Sequence, residues 1–176
     1  MTEHAKILHN LRTQFVLVRS REDFQDLTHL ILPGGESTTM EKLLKKFEMW
    51  DEILRQIQND NLKVFGTCAG AILLAKFGAG WSVQRNGFGA QQASFSTVLK
   101  SKTFPDLRGV FIRAPRLKPP SKPPSNSPLE KGGETEVLAT FENEPVLVRD
   151  GNFLGASFHP EIAGETRVHE FFLQKF

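Results

Sequence analysis

Val64-Phe65-Gly66-Thr67-Cys68-Ala69-Gly70-Ala71-Ile72-Leu73-Leu74 decides the architecture. Val64-Phe65 reads as a short buried strand ended by Gly66, and Ala69 to Lys76 as the helix that follows it. Between them lies Gly-x-Cys-x-Gly. A turn sharp enough to link strand directly to helix accepts only small residues on either side, and it presents its central side chain at the carboxyl edge of the sheet. The start of the helix places partial positive charge beside the Cys68 sulfur, which favours thiolate. Its first free backbone N–H groups, Ala69's among them, are candidate oxyanion donors. Cys68 is therefore the candidate nucleophile.

Upstream the same grammar recurs. Leu30-Ile31-Leu32 is an apolar run closed by Pro33-Gly34-Gly35, and Thr38 to about Phe47 reads as a helix with Met40, Leu43, Leu44 and Phe47 on one face. Trp50 to Ile57 continues helical. Residues 4–11 place Ile7, Leu8 and Leu11 at helical spacing, and Phe15-Val16-Leu17-Val18 reads as a buried strand. Strand, tight turn and helix repeating over about 30 residues predict a parallel α/β architecture. The opening is unusual for that class, because a helix feeds the first strand and the first crossover has no leading strand.

Downstream the character changes. Phe95–Leu99, Val110–Ile112, Val137–Phe141, Val146–Val148 and Phe153–Phe158 are short strand candidates, and Glu165 to Phe176 reads as a closing helix burying Val168, Phe171 and Phe172. Six of the ten prolines fall between Pro115 and Pro128. A stretch of that composition buries no core and reads as an inserted, polyproline-like surface loop at about 115–128.

The 176 residues suit one domain spanning 1–176. With 22 Lys and Arg against 20 Asp and Glu, the charge is too balanced for a nucleic-acid or membrane-surface protein. No apolar run approaches the roughly 18 residues that a membrane span needs, and the N-terminus has no signal-peptide core. A single cysteine excludes an intramolecular disulfide framework and a cysteine-based zinc site. These features point to the cytoplasm and call for no metal or cofactor.

A thiol nucleophile needs a base. His4, His9 and His169 fall on predicted helices and read as surface residues, and His29 opens a strand with no partner nearby in sequence. His159 differs. It ends the run Phe153–Phe158 and is followed by Pro160 and Glu161, so the proline fixes the chain direction and the carboxylate can return to orient the ring. Cys68, His159 and Glu161 form a triad of nucleophile, base and orienter. Pro33-Gly34-Gly35-Glu36-Ser37 adds consecutive glycines whose N–H groups can approach a ligand, with Ser37 expected to cap the next helix and Glu41 in its first turn.

With these elements in order, the sequence resembles the class I (triad) glutamine amidotransferases, and within them the glutaminase subunits of pyridoxal 5′-phosphate synthases. The resemblance is carried by Leu32-Pro33-Gly34-Gly35-Glu36-Ser37-Thr38-Thr39, Gly66–Gly70, Arg85-Asn86 followed by Phe88-Gly89, Val110-Phe111-Ile112-Arg113-Ala114-Pro115 and Ser157–Glu161. It implies a flavodoxin-like three-layer α/β sandwich with a mainly parallel central sheet. It also implies hydrolysis of L-glutamine to glutamate and ammonia, the ammonia passing to a partner synthase subunit in a hetero-oligomer. Residue by residue, Cys68 is the implied nucleophile, His159 the acid/base and Glu161 its orienter. The resemblance likewise implies that Gly35, Glu36, Ser37, Arg85, Ile112 and Arg113 hold glutamine and that Gly35 and Ala69 face the oxyanion. A carboxylate and a guanidinium suit the ammonium and carboxylate of such a substrate.

The sequence departs from that pattern in three places. The resemblance implies an opening strand, yet Met1-Thr2-Glu3-His4 already aligns with the first helix, so the sheet is expected to lack its usual first strand. The expectation is then that Met1 is an internal methionine of a longer natural chain, or that the gene is damaged. Phe77–Gln84 is short, and Lys118–Pro128 is enlarged. Two other readings follow: an N-terminally truncated, impaired subunit that only docks on or regulates a synthase, and a cysteine hydrolase on a related scaffold, which His-Pro-Glu and Gly-Gly-Glu-Ser disfavour.

Overall fold

The computed structural model describes residues 2–88, 94–120 and 135–176. Gly89 and residues 121–134, which hold much of the expected proline-rich insertion, lie outside the described residues. Helix α1 (Glu3–Asn10) comes first, followed by β1 (His29–Leu32), α2 (Ser37–Lys46), α3 (Met49–Gln58), β2 (Lys63–Thr67) and α4 (Ala69–Lys76). Then come β3 (Ser82–Gln84), β4 (Ser94–Val98), β5 (Arg108–Ile112), β6 (Arg116–Lys118), β7 (Glu136–Phe141), β8 (Glu144–Asp150), β9 (Phe153–Ala156) and α5 (Arg167–Lys175).

The central sheet has the order β1-β2-β9-β8-β7. β1, β2 and β9 run parallel, while β8 and β7 extend the sheet antiparallel. Alternation along the strands builds the layers, because successive side chains leave opposite faces. Leu30, Leu32 and Val64 join Ile53 of α3 and Ala71, Leu73 and Leu74 of α4 in one core. Phe65 and Leu154 join Val168 and Phe172 of α5 in the other, with Ile31 packed against it. The result is the three-layer flavodoxin-like sandwich.

The apolar run Phe15-Val16-Leu17-Val18 is not the buried strand its composition predicts. It forms no strand, and Phe15, Val16 and Leu17 are 37%, 59% and 54% exposed. A strand exists only against a hydrogen-bonding neighbour, and β1 pairs with β2 alone, leaving its other edge unpaired among the described residues. Beside β1 runs an apolar cleft of about 560 Å³, whose lining includes Phe15, Val16, Val18, Leu30 and Leu32.

Two further strands correct the sequence reading. Arg116–Lys118, assigned to the polyproline-like loop, instead pairs antiparallel with Ser82–Gln84, with Leu117 fully buried. A lone leucine between Arg116 and Lys118 carries too little periodicity to mark a strand. The closing helix is Arg167–Lys175, with Val168 and Phe172 buried and Phe171 at its margin.

Because β1, β2 and β9 are parallel, their carboxyl ends share one edge. Pro33-Gly34-Gly35 leaves β1 there, Cys68 leaves β2, and Ser157-Phe158-His159 leaves β9. Topology alone collects the three motifs.

Candidate active site

Cys68 stands at φ 50°, ψ −104°, between the last residue of β2 and the first of α4. A non-glycine residue in that region costs on the order of 1–3 kcal/mol and persists only where the surroundings impose it. Here they do. A Cβ on Gly66 would lie 2.5 Å from the carbonyl carbon of Gly70, and one on Gly70 would lie 2.0 Å from the Leu32 carbonyl oxygen. The Cys68 N–H donates to the Ala156 carbonyl at 2.8 Å, tying the elbow to β9. The Cys68 sulfur lies 3.7 Å from the Ile112 carbonyl oxygen, at the end of β5.

His159 sits beside that sulfur and interacts with it. Its backbone N–H donates to the Val110 carbonyl at 2.7 Å, so β5 passes both Cys68 and His159. On its far side Nδ1 is 2.7 Å from Glu161 Oε1. Burial alone would lower the imidazolium pKa, but the hydrogen bonds to Cys68 and Glu161 and their negative charge outweigh it and raise it to about 9. Burial pushes Glu161 upward, whereas hydrogen bonds from His159 and then His4 hold it at about 2. The pair is an imidazolium–carboxylate couple.

Gly34 packs against the edge of this ring: a Cβ there would lie 2.3 Å from His159 Cε1. Gly35 has φ 153°, a conformation glycine reaches readily. The cap of α2 is Glu36 rather than Ser37, whose side chain is buried. The Glu36 carboxylate accepts from the N–H of Thr38 at 3.0 Å and of Thr39 at 2.6 Å, and from the Thr39 hydroxyl at 2.7 Å. The Thr39 hydroxyl, followed by those two N–H groups, holds it at about 2. A carboxylate satisfies two orphan donors at once, which is why it displaces the serine from the cap.

Arg85 Nη1 donates to the Thr38 hydroxyl at 3.4 Å, so Arg85 reaches the first turn of α2 beside Glu36. Arg113, at φ 44°, is exposed just past Ile112. Ala69 opens α4 with its N–H outside the helical ladder. Every sequence-nominated residue thus belongs to the three carboxyl-edge loops, to β5 and its end, or to Arg85 over α2. Among the described residues no group of three or more His, Cys, Asp or Glu could hold a metal ion.

His4 and His169, assigned to the surface, are instead buried, 7% and 0% exposed. His4 Nε2 lies 3.3 Å from Glu161 Oε1 and 3.2 Å from the Thr67 hydroxyl, and its Nδ1 is 2.9 Å from His169 Nε2. The spacing held the clue. His4, Ile7, Leu8 and Leu11 form one helical stripe, and His169 stands three residues before Phe172.

The SNO glutamine amidotransferase family matches residues 1–176. Two relatives called pyridoxal 5′-phosphate synthase subunit PdxT are similar along nearly the whole chain. The one from Thermotoga sp. (strain RQ2) is 39% identical, with 98% of this chain and 92% of the relative covered. The one from Pelotomaculum thermopropionicum is 41% identical, covering 98% and 88%. A crystal structure described as a glutamine amidotransferase superposes with a TM-score of 0.85 at 38% identity, covering 98% of this chain and 91% of that one.

Proposed function

Because the chain belongs to the SNO glutamine amidotransferase family, we propose that it is the glutaminase subunit of a pyridoxal 5′-phosphate synthase, with Cys68, His159 and Glu161 as its triad. The observation that carries this reading is the meeting, at one sheet edge, of a cysteine on a strained elbow with an imidazole paired at 2.7 Å to a buried carboxylate.

Cys68 Sγ attacks the side-chain amide carbon of glutamine, forming the C–S bond while the carbonyl pair moves onto oxygen. The Ala69 and Gly35 N–H groups face that oxyanion. Collapse breaks the C–N bond, and the His159 imidazolium gives its proton to the departing ammonia. The neutral ring then takes a proton from water, whose oxygen attacks the thioester. Collapse of the second tetrahedral species breaks the C–S bond, releasing glutamate and restoring the thiolate–imidazolium pair. Glu161 holds Nδ1 protonated, so that Nε2 faces the chemistry. Glu36, with the lone pairs its capping leaves free, suits the substrate ammonium. Arg85 and Arg113 suit its carboxylate, and Ser37 and Ile112 complete the pocket.

The test is ammonia release from glutamine by the purified chain mixed with its synthase subunit, set against Cys68→Ala. Turnover above the variant's background supports the reading. A complex that forms yet releases no more ammonia than the variant favours a second reading, a subunit that docks without hydrolysing. The one-sided β1 and exposed Phe15–Leu17 speak for that reading.

Two further outcomes are expected. Gly34→Ala drives a methyl into the His159 ring. Since a displacement near 1 Å costs about 10²-fold, kcat should fall by about that factor while the melting temperature moves little. Secondly, kcat/KM should decline as pH rises through about 9, where His159 loses its proton. The same sign governs stability. The contribution of the charged ring is complete below the ordinary 6.5 and is lost through about 9, whereas that of Glu161 is complete above 4.5 and is lost as pH falls through about 2. Rate and urea-midpoint profiles between these limits check both limbs.

A further inference from the structure

Glu161 Oε1 is crowded and Oε2 is not. Oε1 takes His159 Nδ1 at 2.7 Å, His4 Nε2 at 3.3 Å and the Thr67 hydroxyl at 3.4 Å, while Oε2 is buried with no hydrogen-bond partner among the described residues. The carboxylate is therefore fixed from one side by three groups on three elements: the loop after β9, α1 and the end of β2. All three are buried.

Proton bookkeeping gives these contacts a direction. An ionised carboxylate only accepts, so His4 Nε2 and the Thr67 hydroxyl carry the hydrogens that face it. On its other side His4 Nδ1 is 2.9 Å from His169 Nε2, and the two rings share one hydrogen between them. Burial, and then the neighbouring His4, hold His169 at about 4, so it is neutral. Phe65 meets the His4 and His169 rings edge-on at centroid distances of 6.3 and 5.4 Å, fixing both.

We infer that His4, with Thr67, is a positioning residue of the site: it locks the Glu161 carboxylate in the rotamer that holds His159, making α1 part of the catalytic assembly. The inference rests on the triad reading above. The charged or titratable groups around Glu161 are His159 and, beyond it, Cys68 on the substrate side, and His4 backed by His169 and Glu165 on the other. Removing the His4 donor leaves the buried carboxylate under-bonded and more readily protonated. His159 then loses its counter-charge, and its imidazolium becomes more acidic.

The test pairs His4→Phe, which keeps a ring against Phe65 but has no nitrogen, with His4→Gln, whose amide restores a donor, and with Thr67→Val. Ring NMR of histidine-labelled chain reads His159 directly, and ammonia release by the synthase complex reads catalysis. In His4→Phe the His159 titration should fall by about one pH unit, with the alkaline limb of kcat following it. Turnover should drop about 10–100-fold with KM unchanged. His4→Gln should recover most of both effects, and Thr67→Val should move the titration the same way by less. A folded His4→Phe with an unshifted His159 titration overturns the inference, as does a variant that loses only melting temperature. If His4→Phe does not fold, an unshifted Thr67→Val overturns it equally. The ring titration needs no glutamine, so a wild-type complex that releases no ammonia defeats the glutaminase reading while the titration still judges His4.

Discussion

Cys68→Ala is expected to lower ammonia release by the synthase complex at least about 10⁴-fold, because losing a nucleophile removes the whole covalent route and leaves only binding and oxyanion stabilisation. Cys68 is the chain's single cysteine, so no neighbouring thiol can substitute. The loss should fall on kcat, with glutamine still binding, since the residues proposed to hold it lie on other loops. Folding should be spared. Alanine fills less of the space beside Ile112, but the packing of Gly66 and Gly70 and the N–H bond to Ala156 that impose the bend are unchanged, so the elbow keeps its φ of 50° and the site its shape. Near-wild-type circular dichroism with unmeasurable turnover is the expected pair of results. Retained turnover would require another nucleophile.

The largest expected effect on stability lies two residues on. Gly70 lies so close to β1 that a Cβ would sit 2.0 Å from the Leu32 carbonyl oxygen and 2.9 Å from its carbonyl carbon. Those are backbone atoms of a strand already fixed by β2, so they cannot yield as a flexible side chain would. Gly70→Ala must therefore push α4 off the sheet. The cost should be about 3 kcal/mol or more, the upper part of the overpacking range, against a total stability of roughly 5–15 kcal/mol. For a chain of this size that lowers the melting temperature by roughly 6–12 °C. Activity should fall too, because the Ala69 N–H moves with the helix. A thermal melt within 2 °C of wild type would mean that α4 has more room than the contact with Leu32 allows.

The elements that carry the candidate site were legible because local rules and topology agree there. Gly66 and Gly70 flank Cys68 for a steric reason visible in the string itself, and a histidine at the end of a β run needs only parallel pairing to reach the same edge. What escaped depended on non-local geometry. Phe15–Val18 has a strand's composition, but pairing rather than composition makes a strand, and among the described residues it pairs with none. Arg116–Lys118 is a strand through its partner Ser82–Gln84, and three residues carry no period. Glu36 displaced Ser37 from the helix cap because its longer side chain reaches two N–H groups and a hydroxyl. His4 and His169 were read as solvent-facing from residue type, although their spacing already placed them on apolar stripes. Their burial became intelligible only when Glu161, distant in sequence, closed the network.

The backbone at Cys68 sets durability against chemistry at a single codon. Only glycine could relax there without penalty, and glycine has no sulfur. On the glutaminase reading, a sequence drifting toward greater hardiness at that point falls silent as a catalyst, whereas one that keeps its thiol carries the tension of the bend in every folded copy. Reinforcement has to come from elsewhere in the molecule, from surfaces that never meet the substrate.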